Sequence, residues 1–494
     1  MNFSSKKLTI NAVSAVIQVV FTAFLYFFLY KYLLKSIGVE QLGIWSLILS
    51  FSSIANLANL GLTSGLVKFV AEYLTEDDKS KIGKLILTSV LTMTILFTLI
   101  SFCIYLGAHY FLHFIIDAKF LDIAIEILPY SLISLSLNAV SGVFTSVLEG
   151  YQKNYLRNLV YIFSGIVMFA LVLKLTPSLQ LKGIAIAQAI QTVFILLLSI
   201  ILCLWVSKDN RIRHWKWSNT SFKELFNYGF KFQLVSVAQL LYEPTTKMLL
   251  SKFGGLGLVG HYEMATKAVN QFRALLTNAN QVVVPVVAEK AKVGEASFLQ
   301  SFYVKMNRIL LLITLPLSTI LMIATPFISL IWIGNFNVDF IFSMYVLIVM
   351  TLINVMCGPA YFSSMGEGKL NVLVIVHVGM AIINLLLGLV LGKLIGGYGI
   401  VLAWGIALSG GSIAVILNYN KSLKINFIEV FQKKEAELVL VSLLIIVFNV
   451  LSYQFISSES NILKIILGLL SLLLYLPIIT KSEYIKQLIS SIKK

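Results

Sequence analysis

The chain has 494 residues, 58% of them hydrophobic and only 12% charged, with a formal net charge of +16. A soluble domain carries about 25% charged residues, so this chain lacks the polar surface to face water all round, and the composition leaves a polytopic membrane protein. The basic residues lie mostly in short loops between apolar runs and not on one clustered face, which sets nucleic acid aside as a partner.

Apolar runs of about 18–25 residues, each long enough to cross ~30 Å of hydrocarbon, recur along the whole chain. Lys6 and Lys7 precede the first, near 9–30, which is too long for the apolar core of a cleaved leader; it carries Asn11, Ser14, Gln18 and Thr22 in line. The second, 41–67, aligns Ser52, Asn56, Asn59 and Thr63. Then come 85–107, 122–148, 158–174 and 183–207. His109, His113 and Asp117 at the end of the third run read as an interfacial polar cap; no metal and no cofactor is expected. Cys103, Cys203 and Cys357 fall in apolar runs without paired spacing, so no disulfide is expected either.

A basic loop, "SKDNRIRHWKWSNTSFKE" (207–224), separates this half from the next. The seventh run, 225–250, places Tyr228, Lys231, Gln239, Tyr242, Glu243 and Thr246 on one face, with Lys247 at its border. The eighth, 258–287, contains "KAVNQFRALLTNANQ" (267–281). At 100° per residue, Glu263, Lys267, Asn270, Gln271, Thr277, Asn278 and Gln281 form a stripe about 120° wide, flanked by Arg273 and Asn280. Runs at 303–325, 340–364, 371–392 and 398–419 follow, and 437–456 and 462–480 complete about fourteen spans. Pro244, Pro316 and Pro359 lie inside runs, where they can kink a helix.

Lys and Arg in alternate loops divide 26 to 8, with Lys231, Lys247, Lys267 and Arg273 left inside helices. The richer set of loops is cytoplasmic by the positive-inside rule, so both termini are expected there. The halves also repeat. At an offset of 217, Gly38 matches Gly255, Gly43 matches Gly260, and "VAE" at 70–72 returns at 287–289. At 216, Gly142, Gly150, Lys153 and Gly183 match Gly358, Gly366, Lys369 and Gly399. An offset spanning six helices preserves orientation. The expected fold is therefore all-α, with two six-helix lobes related by pseudo-two-fold symmetry around a central cavity, plus two C-terminal helices. The expected divisions are an N-lobe at 1–207, a cytoplasmic loop at 208–224, a C-lobe at 225–420 and the extra helices with a basic tail at 421–494.

A charge at the bilayer centre costs at least ~2.5–3.5 kcal/mol and ordinarily faces a cavity or a partner. Glu243 with Lys247, and Glu263 with Lys267, are i,i+4 pairs, so a buried ion pair and a cavity role are both open for these lysines. Arg273 has no carboxylate one turn away along its helix and points to a hydrated cavity. On the repeat, Arg273, Lys267 and Lys247 replace Asn56, Ser50 and Tyr30, which puts the cationic side in the second lobe and suggests an anionic, phosphate-bearing substrate. Tyr242, Tyr262 and Trp45 are candidate rings for stacking on a substrate.

The two lobes, the block "LGIWSLILSFSSIANLANLGLTSGLVKFVAEY" (42–73) and the two extra helices resemble the polysaccharide transporter branch of the multidrug/oligosaccharidyl-lipid/polysaccharide (MOP) exporter superfamily, in particular Wzx-type O-antigen and capsule flippases. The resemblance implies alternating access in the bacterial inner membrane, with an undecaprenyl-pyrophosphate-linked oligosaccharide as cargo. It implies substrate contacts at Arg273, Lys267, Lys247 and Lys231, beside the polar positions Asn270, Gln271, Asn278, Gln239, Asn56, Asn59 and Gln18. Glu243 and Glu263 are candidates for ion coupling. The other expected partners are membrane lipids and polysaccharide-assembly proteins, with a monomeric transporter. A peptidoglycan-precursor flippase and a cation-coupled drug antiporter of the same superfamily stay open as rivals. A membrane glycosyltransferase does not, since no loop is large enough for a catalytic domain.

Overall fold

The computed structural model describes residues 5–54, 57–75, 79–207, 216–226, 242–280, 287, 296–367, 369–426, 429, 433–455, 461–475 and 477. Thirteen α-helices and no strand occur among them. Helices α1 (Ser5–Ile54), α2 (Leu57–Thr75), α3 (Lys79–Leu112), α4 (Ala118–Gly150) and α5 (Asn154–Ser207) come first. After α6 (Tyr242–Asn280) follow α7 (Ala296–Ile333), α8 (Val338–Met356), α9 (Gly358–Gly366), α10 (Leu370–Ile395) and α11 (Gly397–Leu423). The last are α12 (Lys433–Phe455) and α13 (Asn461–Ser471), which runs into a 3-10 turn at Leu472–Tyr475.

Some of these helices are two arms joined at a break. α1 turns at Gly38 (φ 80, ψ 169), and α6 turns at Gly255 (φ 77, ψ 167). α5 is broken at Gln180 (φ 48, ψ −128), which leaves arms of roughly 40 Å at 1.5 Å per residue, each enough for one crossing. The single run expected at 340–364 is instead two helices, because Pro359 stands at the start of α9, where its missing N–H is harmless. Pro244 occupies the first turn of α6 for the same reason, while Pro316 stays inside a continuous α7.

Eight segments of the described residues are long and apolar enough to cross a membrane, from Val13–Ser50 to Gly397–Leu423. Their outer surfaces carry large exposed apolar side chains such as Phe24, Phe102, Ile375 and Leu394, as lipid-facing surfaces do. The chain is a multi-pass membrane protein. α6 is not among the eight, because its charged residues lower its hydropathy.

The repeat seen in the sequence is a repeat of geometry. Gly38 and Gly255 share one conformation that is almost exclusive to glycine. Gln180 and Gly396, 216 residues apart, both have positive φ. Three residues on, a Cβ on Gly183 would meet the Leu175 carbonyl and one on Gly399 the Leu391 carbonyl, again 216 apart. The Lys153 N–H donates to the Leu148 carbonyl and the Lys369 N–H to the Ser364 carbonyl, both at 2.9 Å.

Packing divides the chain into two compact units, one of residues 1–271 with 381–404 and the other of 272–380 with 405–494. The first has its core around Leu29, Tyr30, Leu33, Leu42, Leu47 and Ile48, all fully buried. In the second, Tyr303, Cys357, Ala360, Leu373, Val415 and Tyr419 form one cluster. Another joins α7 to α12 and the terminal turn through Leu311, Leu315, Ile323, Leu438, Ile445 and Tyr475. There the Tyr475 hydroxyl bonds with the hydroxyls of Thr319 (2.8 Å) and Ser442 (2.7 Å), and the Asn449 amide donates to Ser471 (3.0 Å). Paired polar groups of this kind fix the register of helices that pack in lipid.

Candidate functional site

Within the first unit, the α1 arm after Gly38 and the α6 arm after Gly255 approach closely. A Cβ on Gly43 would strike the Leu256 carbonyl, and one on Gly260 would strike the Val39 carbonyl. Gly43 and Gly260 are repeat mates, as are Val39 and Leu256, so the contact is reciprocal in the way a two-fold axis demands. Glycines allow it, because a side chain at either position would push the backbones apart.

One turn further along these arms lies a buried charge cluster. The Glu263 side chain is 1% exposed and accepts from the hydroxyls of Tyr30 and Ser46, each at 2.9 Å. Lys247, also 1% exposed, lies 2.7 Å from Glu263 and 2.6 Å from Glu243, and reaches the Ser46 carbonyl at 3.4 Å. Lys267 stands 3.3 Å from Glu263 with 29% of its side chain exposed, its ammonium 5.8 Å from the Tyr26 ring centre. Ser46 and Glu263 are separated by 217 residues, the repeat offset itself. The Tyr30–Glu263 contact has its mate in Lys247 against Ser46. Two carboxylates and two ammoniums cancel in charge, so this cluster is an ion-pair network. Both readings left open by the sequence are represented: Lys247 is sealed among protein groups, and Lys267 borders accessible space.

Arg273, in the second unit, is half-buried and within electrostatic reach of Tyr361 and His377. Those two rings, from α9 and α10, lie 5.9 Å apart edge to face. Neither residue is signalled by a pattern in the sequence.

Among the other expected positions, Asn270 is exposed and Gln271 half-buried, while the carboxylate of Glu243 is 44% exposed. Gln18 is half-buried and donates to Thr22 at 3.3 Å. Asn56, Lys231 and Gln239 lie outside the described residues; Asn59 and Asn278 are helical, with side chains outside the description. The line of polar residues on the first arm of α1 is in part a packing face. The Asn11 amide donates to the Gln152 carbonyl (3.0 Å) and accepts from the Tyr155 N–H (3.1 Å), and Asn158 donates to Ser14 (2.9 Å). The candidate stacking rings Tyr242, Tyr262 and Trp45 are all buried; Trp45 donates to Gln188 at 3.3 Å and Tyr242 packs on Trp404. Among the described residues, no group of three or more His, Cys, Asp or Glu is arranged to hold a metal ion.

The family model described as "Polysaccharide biosynthesis protein" matches residues 8–290, more than half of the chain. The chain belongs to this family. No curated protein matches it significantly. Its fold is that of MOP superfamily transporters. The lipid II flippase MurJ in an inward closed conformation superposes with a TM-score of 0.70 at 17% identity, covering 97% of this chain and 100% of that one. An inward-facing multidrug resistance MATE family transporter of the MOP superfamily gives 0.69 at 15% identity, covering 81% and 94%. A MOP superfamily transporter from Pyrococcus furiosus, described as having a binding pocket of reverse polarity, gives 0.60 at 14% identity, covering 85% and 96%. These neighbours are transporters or flippases, and none is an enzyme.

Proposed function

We propose that this family member is a flippase that moves an undecaprenyl-pyrophosphate-linked oligosaccharide from the cytoplasmic to the outer leaflet of the bacterial inner membrane by alternating access of its two repeats. The observation that carries the reading is Arg273, a half-buried guanidinium in a polysaccharide-family membrane protein, within electrostatic reach of the Tyr361 and His377 rings. An intramembrane cation is costly, and a planar guanidinium matches a phosphate in a bidentate way. Lys267, partly exposed at the edge of its ion pair, and the exposed Asn270 with the half-buried Gln271 are further candidates for substrate contact in the first unit. Lys247 is assigned to the ion network and not to the substrate, because it is sealed against Glu263. The same saturation speaks against Glu263 as a coupling carboxylate. Outward movement of an anion from a negative-inside cell is favoured by ~2.3 kcal/mol per charge per 100 mV, and the 26-to-8 lysine and arginine bias supports cytoplasmic termini.

The coverage of 97% of this chain by a lipid II flippase, against 81% by a drug exporter, favours lipid-linked cargo over drugs and keeps a peptidoglycan precursor as the second reading. The test is complementation of glycan export. In a strain lacking its own O-antigen or capsule flippase, the wild-type chain restores surface glycan, Arg273→Lys restores part of it and Arg273→Ala none, at equal expression. Rescue of a MurJ-depleted strain instead would select the second reading.

A further inference from the structure

The four donors to Glu263 divide by repeat. Lys247 and Lys267 belong to the second repeat, whereas Tyr30 and Ser46 belong to the first. Within the second repeat, Glu243 with Lys247 and Glu263 with Lys267 are i,i+4 pairs on the two arms of α6. If the repeats part at this end, the two hydroxyls withdraw from Glu263, and every charge keeps a partner on its own arm. Among the described residues of this cluster, no ion pair spans the two repeats. That matters, because a buried charge deprived of its partner is a heavy cost, and an arrangement meant to open must avoid it. Hydroxyl-to-carboxylate bonds are directional and charge-assisted, so they favour the closed arrangement without making it permanent. Between this point and the kinks at Gly38 and Gly255, the Val39–Gly43 and Leu256–Gly260 backbones meet with no room for a side chain. Contact of that kind is complete or absent, as a two-state element requires.

We propose that Tyr30 and Ser46 of the first repeat and Glu263 of the second form a hydroxyl–carboxylate latch, which holds the kinked ends of the repeats together and releases when the transporter opens on that side. The latch rests on the alternating-access reading, but its test does not depend on the cargo. Ser50 lies one turn beyond Ser46 on the same face and is 1% exposed, so Ser50→Cys reports opening. Cys103 and Cys357 are replaced, and the buried Cys203 is kept as the internal monitor of global unfolding. The purified full chain in nanodiscs, with both faces accessible, is treated with a water-soluble maleimide.

Tyr30→Phe and Ser46→Ala should each accelerate labelling of Ser50→Cys, and their combination should raise it by about tenfold, a one-decade shift in the open–closed equilibrium. Labelling of Cys203 should stay slow. Glu263→Gln, where it folds, should give the largest effect. Unchanged labelling in the folded double variant overturns the latch, as does parallel acceleration at Cys203. Failure of the transport reading would appear in glycan export alone and leave this order of labelling rates intact.

Discussion

Glu263 shows how a charge is tolerated in the buried interior of a membrane protein. Its carboxylate is 1% exposed, yet two ammoniums and two hydroxyls surround it, so no lone pair is left to an apolar neighbour. Lys247→Met withdraws the better-buried of the two ammoniums and should cost on the order of 3–5 kcal/mol in stability. Adding Glu263→Gln to Lys247→Met should recover most of the loss, because the stranded charge is then gone; thermal unfolding of the purified variants in a double-mutant cycle reads both. Half of this environment was legible in the sequence. The i,i+4 lysine–glutamate pairs follow from helical spacing, but Tyr30 and Ser46 lie 233 and 217 residues away and sit in helices with no local feature to single them out. The signal that could have found Ser46 is its place as repeat mate of Glu263, since residues near a two-fold axis meet their own mates. Asn11 in the polar line of α1 shows the opposite case. Asn11 is polar because it satisfies backbone groups of Gln152 and Tyr155, and composition alone does not separate such a role from a wetted face.

At the scale of elements, the breaks decide where one helix becomes two. Gly38 and Gly255 hold φ 80 and 77 with ψ near 170. An L side chain in that region costs about 1–3 kcal/mol. Gly38→Ala and Gly255→Ala should each lower stability by that order even though no atom stands within 4 Å of the added Cβ, and melting temperatures of the two variants should fall alike. Gln180 is the converse case, a non-glycine at φ 48 where its repeat mate is Gly396. Gln180→Gly should raise the melting temperature, as relief of about 1–3 kcal/mol of strain outweighs the ~0.5–1 kcal/mol of added chain entropy. The glycine breaks were visible in the sequence as a constant offset, because that conformation admits little else. The break at Gln180 was not, so the spans expected at 158–174 and 183–207 stop short of the arms that α5 forms.

For the whole molecule, hydropathy was sufficient to give the class, since long apolar runs with no intervening polar domain leave one environment in which their surfaces are stable. The repeat and the fold followed from spacing. A charge in an apolar helix shows that something requires it without showing what. Lys247 is held in an ion pair with Glu263, and Arg273 lies within electrostatic reach of Tyr361 and His377, which are far from it in sequence. The proposed transport depends on an anionic lipid-linked cargo meeting a guanidinium. Its most direct test is translocation of a fluorescent undecaprenyl-pyrophosphate oligosaccharide between the leaflets of proteoliposomes containing the purified protein. Wild type should accelerate transfer, Arg273→Lys should retain part of it, and Arg273→Ala should lose about 10–150-fold, the equivalent of one charged hydrogen-bonding contact at ~1.5–3 kcal/mol. Equal transfer by wild type and Arg273→Ala, or no transfer by either, would contradict the account.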